Sequence, residues 1–358
     1  MKHIITLLVI AALFVGCQGG KKKNSSATAK KAEKVSALTA AGATFPMPFY
    51  NLVFKNYTKE KGILMTYGGI GSGGGIRSLK DKVVDFGASD AFLSDKKMAD
   101  LPGEIVHIPT CLGAVVIAFN LPEVTDVKLT NKLLEAIFMG KITKWNDKLL
   151  QANNPGVKLP DMPITVVHRS DGSGTTYIFS DFMSKISEQW NMKVGKGKSL
   201  KWPTGIGAKG NPGVAGTIKS TVGSIGYVGS EYAFAQKIPV AKLKNKAGNY
   251  IEPTIESISA AAKGEIPADT RVMLTNSDDP NAYPISGFTW IILYKNQQYD
   301  NRSEAKAKET VKFLNWLIDA DAQAVASKVH YAPLPEKAVK RAKAILKSVT
   351  YNGKPLAE

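Results

Sequence analysis

Cysteine and histidine are scarce in this 358-residue sequence, which contains two cysteines and four histidines. Cys17 ends an apolar leader, so Cys111 is left alone in the body of the chain and no internal disulfide can form there. None of the histidines stands in an HExxH arrangement or at another metal-ligand spacing. We therefore expect no metal site, no disulfide framework and no cofactor. Cys111 lies inside an apolar run and is predicted to be a buried structural thiol.

Long apolar runs are also missing, except at the N-terminus. Residues 4–15 form an apolar segment of about a dozen residues, which is too short to span a membrane. Lys2 precedes this segment and Gly16-Cys17 ends it, which resembles a lipoprotein signal peptide. Residues 1–17 are therefore predicted to be such a signal, with Cys17 as the lipidated residue, although Phe14 stands where leucine is usual. An ordinary secretory signal is the alternative.

Positive charge is in excess, with a formal net charge of +17 at pH 7. Residues 18–35 are rich in lysine, serine and alanine and have no apolar run, so they are predicted to be a flexible tether. Residues 1–35 hold seven lysines and one glutamate, which leaves +11 for the rest of the chain. No nucleic-acid recognition motif or basic helix accompanies this charge, so we expect no nucleic-acid partner. The excess suits a small anionic ligand or an anionic surface.

The most informative stretch is Gly68 to Asp90, where a strand-like run is followed by a glycine-rich turn and a helical pattern. Such a turn exposes backbone N–H groups at the positive end of the helix dipole. Ser72 is predicted to be the N-cap of this helix with its hydroxyl free to donate, and Arg77 lies one turn further on. The stretch is therefore predicted to bind an anion.

Two other motifs overlap this stretch. The segment GIGSGG at 69–74 fits the dinucleotide fingerprint GxGxxG, and Asp90 lies at about the right distance for an acid that binds ribose. The triplet DFG at 85–87 fits the magnesium-binding triplet of protein kinases, but the HRD loop and a VAIK-type lysine are absent. The kinase interpretation is therefore rejected. The dinucleotide interpretation depends on whether other segments supply further anion donors.

Two more segments place hydroxyl groups at the start of a predicted helix. Thr44 and Phe45 come directly before a helical pattern that has proline in its first turn. Arg169 ends a predicted strand and is followed by a turn that carries Ser173 and Thr175. Because the guanidinium group matches phosphate with a forked pair of donors, this turn also points to an anion.

The turn after Arg169 has an enzymatic alternative. Asp171 is placed to pair with Arg169 and fix its orientation. Ser173 is a candidate nucleophile, but the GxSxG elbow is lacking because Asp171 occupies the first glycine position. Nothing in the sequence indicates that His168 reaches Ser173, so we predict no catalytic residue.

The remaining pattern indicates an α/β protein with more than one core. Residues 104–120 are almost continuously apolar and are predicted to form two short buried strands broken near Pro109. Residues 284–294 are predicted to form another buried strand, and residues 205–229 are a glycine-rich region with one strand. Because the chain is longer than one core comfortably supports, two α/β domains are expected.

Four segments together resemble the phosphate-binding proteins of Pst-type ABC transporters, the PstS family. They are AGATFPMPFY at 41–50, GIGSGGGI at 69–76 with VDFGASDAFLSD at 84–95, HRSDGSGTT at 168–176, and GIGAKGNPGVAGTIKSTVGSIGYVGSEYA at 205–233. The resemblance runs from about residue 38 to the C-terminus with the motifs in family order. With three separate anion-binding turns, the single-pyrophosphate dinucleotide interpretation is no longer favoured.

The resemblance implies a two-domain fold of the periplasmic-binding-protein type (type II), with the ligand cleft between domains joined by crossing strands. Domain I would comprise 36–110 and 287–358, and domain II 111–286. The residues implied to bind phosphate are Ala43, Thr44, Phe45, Ser72, Asp90, Arg169, Ser173, Gly174 and Thr175. In this arrangement Asp90 accepts a phosphate proton. Gly73 stands where the family often has serine, and its backbone N–H is expected to serve instead.

The function implied is that of an exported, lipid-anchored, monomeric receptor for inorganic phosphate that delivers it to the permease subunits of an ABC transporter. It would lie in the periplasm or on the outer face of the cytoplasmic membrane. A receptor for sulfate or molybdate is one alternative. A secreted phosphatase on the same fold is another, but it needs an activated nucleophile or a metal cluster, and neither is evident in the sequence.

Overall fold

The computed structural model describes residues 34–356, so the predicted signal peptide, Cys17 and nearly all of the tether lie outside the described residues. The strands are β1 Ala37–Gly42, β2 Leu64–Gly69, β3 Phe86–Ser89, β4 Ile105–Phe119, β5 Lys128–Leu129, β6 Thr165–Arg169, β7 Ile206–Ala208, β8 Ser224–Gly229, β9 Lys242–Lys244, β10 Tyr250–Ile251, β11 Ser286–Tyr294, β12 Thr350–Tyr351 and β13 Lys354–Pro355. The helices are α1 Met47–Lys61, α2 Ser72–Lys80, α3 Asp95–Ala99, α4 Asn131–Phe138, α5 Lys148–Asn153, α6 Gly174–Ile186, α7 Glu188–Lys193, α8 Gly210–Ser220, α9 Ser230–Ala235, α10 Ile255–Ala260, α11 Glu304–Leu317, α12 Ala320–Gln323, α13 Glu336–Lys347 and a 3-10 helix at Ala326–Val329.

The main sheet has eight strands in the order β2-β1-β3-β11-β4-β8-β6-β7. In its first half, β1 is parallel to β2 and β3, and β11 runs antiparallel to β3 and β4. In its second half, β6, β7 and β8 are mutually parallel, and β8 is antiparallel to β4. Strand β4 pairs with β11 as far as Ala114 and with β8 from Val115 onward, so it runs from one half to the other. The prediction of an α/β protein is confirmed, while the residue boundaries of two domains stay a prediction.

The prediction of two strands broken at Pro109 is wrong, because β4 is one continuous strand of 15 residues. The register against β11 shifts at this point: Trp290 pairs with Pro109 and Thr289 with Cys111, which leaves Thr110 as an extra residue. Proline cannot donate to a ladder, and a bulge is one of the places where a sheet tolerates it. The proline therefore bends the pairing without ending the strand.

Two further predictions need correction. Ser72 is the first residue of α2, and the N-cap is Gly71 in the left-handed region with φ of 80°. A side chain at position 71 would meet the Asp171 carboxylate at 2.4 Å, so only glycine fits there. The sequence predicts one strand in the glycine-rich region 205–229, but the structure has two strands there, β7 and β8, with the helix α8 between them. Its glycines obscured a helical pattern.

Aromatic side chains fill the core of each half. In the first half, Phe313 contacts Phe54 edge-on and stacks on Phe86. In the second half, Phe179 stacks on Tyr227 with ring centroids 4.5 Å apart. Cys111 is fully buried and its burial raises the pKa of the thiol, so the prediction of a structural thiol is confirmed.

The topology brings several strand ends to one region. Parallel strands in an open α/β sheet end at a common edge, where ligands usually bind. Thr44 and Asp90 lie in the loops that follow β1 and β3, Ser72 begins α2 shortly after β2, and Arg169 is the last residue of β6. Within residues 34–356, no helix is both long enough and apolar enough to cross a membrane.

Candidate functional site

The loop 43–45 between β1 and α1 forms the first part of the site. The N–H of Ala43 donates to the carbonyl of Ala88 (3.0 Å), so this group is already used inside the protein. The N–H groups of Thr44 and Phe45 have no protein acceptor among residues 34–356. The Thr44 hydroxyl oxygen accepts from the backbone N–H of Asn211 (3.0 Å) and from its side-chain amide (3.1 Å). With both lone pairs engaged, the hydroxyl proton is available for an acceptor.

Ser72 at the start of α2 forms the second part. Its hydroxyl oxygen accepts from the N–H of Asp90 (3.2 Å) and from the N–H of Gly174 in the other half of the sheet (3.0 Å). The neighbouring N–H of Gly73 donates to the carbonyl of Gly172 (2.9 Å). The N–H expected to replace a serine donor at position 73 is therefore engaged across the two halves.

Asp90 is a buried carboxyl group between these segments. It is 1% exposed, and its Oδ1 accepts from the hydroxyl of Thr289 (2.6 Å). Burial raises the pKa of Asp90 from its ordinary value to about 7, although the Thr289 hydroxyl, the charge of Arg169 and the Ser72 hydroxyl oppose this shift. Near neutral pH the carboxyl group can therefore exist with or without its proton.

Arg169 and Asp171 form a two-point ion pair. The Nε of Arg169 donates to Oδ1 of Asp171 (2.7 Å) and its Nη2 donates to Oδ2 (2.6 Å). Burial disfavours the charged carboxylate, but hydrogen bonds and charge from Arg169 outweigh it and hold the pKa of Asp171 below its ordinary value. The remaining Nη1 lies 3.5 Å from the hydroxyl oxygen of Thr175, so this edge of the guanidinium faces the site. The pair fixes the orientation of a cation whose side chain is 1% exposed.

The first turn of α6 completes the site. The Ser173 hydroxyl accepts from the N–H of Thr176 (3.0 Å) and thus caps the helix. Thr175 accepts from the side-chain amide of Asn211 (3.0 Å), which leaves its hydroxyl proton to donate. A Cβ on Gly174 would lie 2.4 Å from Ser72 Oγ and 2.7 Å from Asp90 Oδ2. Gly174 is therefore packed directly against the first half of the sheet.

The structure brings together all predicted site residues that it describes. Those with polar side chains, Thr44, Ser72, Asp90, Arg169, Ser173 and Thr175, are each at most 4% exposed. They come from strand ends in both halves of the sheet, where Asn211 bonds Thr44 and Thr175, and Ser72 accepts from Asp90 and Gly174. Such a set of hydroxyl protons, free N–H groups and one arginine suits a small anion with several oxygens.

Sequence reasoning missed Asn211 and Thr289. Asn211 bridges Thr44 and Thr175 and accepts from the N–H of Gly229 (3.0 Å), so it joins three loops of the site. Its signal was the glycine turn KGNPG after β7, a fourth strand–turn–helix junction like the three that were recognised. Thr289 lies in the middle of the apolar strand β11 and gave no comparable signal.

The site offers little to the catalytic alternatives. His168 stacks on Trp202 at 4.7 Å, and burial lowers its pKa. Its Nδ1 contacts the carbonyl of Arg169, while the hydrogen bond assigned to the Ser173 hydroxyl is the helix cap. Across residues 34–356, no group of three or more histidine, cysteine, aspartate or glutamate side chains could hold a metal ion.

Comparisons with known proteins agree with this geometry. The family model described as PBP superfamily domain matches residues 25–321. The phosphate-binding protein PstS of Haemophilus influenzae is 42% identical over 313 residues, which is 86% of this chain and 91% of that protein. The protein of the same name from Xylella fastidiosa is 37% identical over 352 residues, covering 94% and 95%.

A solved structure of a phosphate binding protein from Stenotrophomonas maltophilia has a TM-score of 0.65 and 19% identity, covering 87% of this chain and 94% of that chain. The matches confirm the predicted fold class, a two-domain α/β fold of the periplasmic-binding-protein type.

Proposed function

Because the chain belongs to the PstS phosphate-binding protein family, within the PBP superfamily, we propose that it captures inorganic phosphate and delivers it to the permease of an ABC transporter. The relatives are named for phosphate binding and not for catalysis. A binding role agrees with a site rich in hydrogen-bond donors in which Ser173 has no assigned base partner.

The observation that carries this proposal is the state of three buried hydroxyl groups. The oxygens of Thr44, Ser72 and Thr175 each accept two hydrogen bonds from protein N–H groups. A hydroxyl has two lone pairs and one proton, so Thr44 and Thr175 have only their protons left for a ligand, whereas Ser72 bonds the Asp90 carboxylate. Two buried hydroxyl donors beside a fixed arginine suit a ligand that accepts through several oxygens and carries negative charge.

Asp90 narrows this class of ligand to one that also carries a proton. A buried carboxylate repels an anion unless it accepts a hydrogen bond from it. Phosphate near neutral pH retains at least one proton that it can donate, whereas sulfate retains none. A carboxyl group among donors therefore favours phosphate over sulfate.

The two halves are proposed to be domains that close on the anion. Domain I would comprise 36–110 and 287–358, and domain II 111–286, with β4 and the segment before β11 as the crossings. Thr44, Ser72 and Asp90 belong to the first, and Arg169, Ser173 and Thr175 to the second. Because donors from both sides satisfy one anion, binding and closure are coupled.

The protein is proposed to be exported and to act as a monomer at the cell envelope. Cys17 would carry a lipid anchor, and the lysine-rich tether would hold the binding domains near the membrane surface. Attachment in this way keeps the receptor close to the permease to which it delivers phosphate.

Titration calorimetry with phosphate, sulfate, arsenate and molybdate on the anion-free full chain tests this function. At pH 8.5, where Asp90 is mostly ionised, we expect saturable 1:1 binding of phosphate and rejection of sulfate at concentrations that saturate with phosphate. Tighter binding of sulfate or molybdate than of phosphate would overturn the assignment. Hydrolysis of a phosphomonoester by the metal-supplemented protein, lost in Ser173→Ala, would instead favour the phosphatase alternative.

A further inference from the structure

Three consecutive carbonyl groups in the loop 43–45 each accept a hydrogen bond from a tyrosine hydroxyl. Tyr67 donates to the carbonyl of Ala43 (2.6 Å), Tyr232 to that of Thr44 and Tyr331 to that of Phe45. These tyrosines are 24, 188 and 286 residues away from their acceptors. The loop 43–45, which has two N–H groups without a protein acceptor, is therefore fixed by hydrogen bonds from three side chains that are distant in sequence.

The three hydroxyl groups are permanent donors. Tyr331 is fully buried, Tyr232 is 8% exposed, and burial raises the pKa of each phenol. Burial likewise raises the pKa of Tyr67 well above its ordinary value. Because the protonated phenol is retained at any pH at which the protein is used, and a carbonyl only accepts, the direction of all three bonds is settled.

Two of these carbonyls share a peptide group with an N–H that has no acceptor among residues 34–356. The carbonyl of Ala43 is conjugated with the N–H of Thr44, and the carbonyl of Thr44 with the N–H of Phe45. A hydrogen bond accepted at the oxygen polarises the whole peptide group and strengthens the N–H as a donor. The carbonyl of Phe45 precedes Pro46, which has no N–H, so Tyr331 polarises no ligand donor.

We propose that Tyr67 and Tyr232 are positioning residues of the anion site, which orient the peptide groups of Thr44 and Phe45 and strengthen their N–H groups towards phosphate. This inference rests on the proposed function. Tyr67 lies on β2 in the same half of the sheet as the loop. Tyr232 lies on α9, which follows β8 in the second half, so its bond to Thr44 joins the two halves.

The chain provides its own controls for removing these hydroxyl groups. Tyr67→Phe and Tyr232→Phe remove the hydrogen bonds to the two carbonyls that share a peptide group with the N–H of Thr44 and of Phe45. Tyr331→Phe removes a hydrogen bond to the same loop, but its carbonyl shares a peptide group with Pro46, which has no N–H. Tyr294→Phe serves as a distant control, since its hydroxyl donates to the carbonyl of Leu79 (3.2 Å). Affinity for inorganic phosphate is measured by calorimetry on the full chain, and amide proton shifts of Thr44 and Phe45 are measured by NMR in the saturated protein.

We expect phosphate affinity to fall about three- to tenfold in Tyr67→Phe and Tyr232→Phe, the value of one neutral hydrogen bond. Tyr331→Phe and Tyr294→Phe should stay within about twofold. The amide proton of Thr44 should move upfield in Tyr67→Phe and that of Phe45 in Tyr232→Phe, as a weakened hydrogen bond requires.

Phosphate affinity within twofold of wild type in Tyr67→Phe or Tyr232→Phe overturns the assignment. So does an equal loss in Tyr331→Phe or Tyr294→Phe, which would reflect general loosening of the structure. Wild-type protein that does not bind phosphate at all would refute the proposed function instead, so the two failures are distinguishable.

Discussion

The raised pKa of Asp90 makes the discrimination between phosphate and sulfate dependent on pH. The carboxyl group has a pKa of about 7, so it is mostly ionised at pH 8.5 and almost fully protonated at pH 5. The ionised carboxylate can accept a hydrogen bond from phosphate. It repels sulfate, because sulfate has no proton to place between its oxygen and the carboxylate oxygen. When protonated it can donate to sulfate. Sulfate binding should therefore take up one proton above pH 7, whereas phosphate brings its own.

The magnitude follows from this proton uptake. A ligand whose binding requires one proton loses about tenfold in affinity for each pH unit above the pKa of the group, and the affinity levels off below it. Sulfate affinity of the wild type should thus fall about 15-fold between pH 7 and pH 8.5 and about 30-fold between pH 5 and pH 8.5, while phosphate affinity changes little. The ratio of phosphate affinity to sulfate affinity should therefore be about 30-fold larger at pH 8.5 than at pH 5.

Calorimetric titrations of both anions from pH 5 to pH 8.5, on wild type and Asp90→Asn, test this. The asparagine amide can donate to sulfate and does not titrate, so the variant should show a small affinity ratio that is independent of pH. A sulfate affinity of the wild type that is flat from pH 6.5 to pH 8.5 refutes the reasoning. So does an affinity ratio that Asp90→Asn leaves unchanged.

The same pKa predicts a stability change in the anion-free protein. A carboxyl group whose pKa is raised on folding holds its proton more tightly in the folded state, so its contribution to stability is largest at low pH and is lost as pH rises to 7. The unfolding free energy of wild type relative to Asp90→Asn should therefore drop by about 2–3 kcal/mol between pH 5 and pH 8. Urea unfolding at the two pH values measures it, and an equal change in both proteins would contradict it.

Three further substitutions have clear expected results. Arg169→Ala should weaken phosphate binding by about 2–5 kcal/mol in calorimetry, because the anion loses its charged partner. The control is Arg302→Ala, which breaks the distant buried ion pair with Asp85 and should lower only the melting temperature. Gly174→Ala adds a Cβ 2.4 Å from Ser72 Oγ and should cost about 1–3 kcal/mol of phosphate binding, whereas Gly216→Ala, with nothing within 4 Å, should leave it unchanged. Cys17→Ser should leave the signal peptide uncleaved or release the protein from the membrane fraction. Unchanged processing and unchanged membrane retention would contradict the assignment of Cys17 as the lipidated residue.

Local chemistry made part of the site predictable. A glycine turn or a hydroxyl between a strand and a helix marks an anion-binding loop by itself, so Thr44, Ser72, Arg169 and Thr175 could be chosen without knowing the fold. The pairing of Asp171 with Arg169 was also predicted, because two residues of separation bring a carboxylate within reach of the guanidinium group. These predictions depend on a few neighbouring residues.

Other features depend on which strands become neighbours. Thr289 reaches Asp90 across 199 residues because β11 inserts between β3 and β4, and no local pattern encodes that insertion. The single strand β4 was missed for a related reason. From the local sequence, proline at position 109 predicts the end of a strand. The strand continues because the pairing with β11 has an extra residue at this point, where a proline can be accommodated.

The site hydroxyls have two separate tasks, one for each of their atoms. The oxygens of Ser72 and Thr44 accept N–H groups from Gly174 and Asn211 in the other half of the sheet, so these oxygens hold the halves together. The proton of Thr44 is left for the anion, whereas the hydroxyl of Ser72 bonds the Asp90 carboxylate. An oxygen can accept from the opposite half only when the halves are closed, and the acceptor bonds orient the proton that remains. In the domain closure proposed above, these bonds would set the direction in which the Thr44 hydroxyl donates, and the ligand would receive its full set of donors only in the closed form.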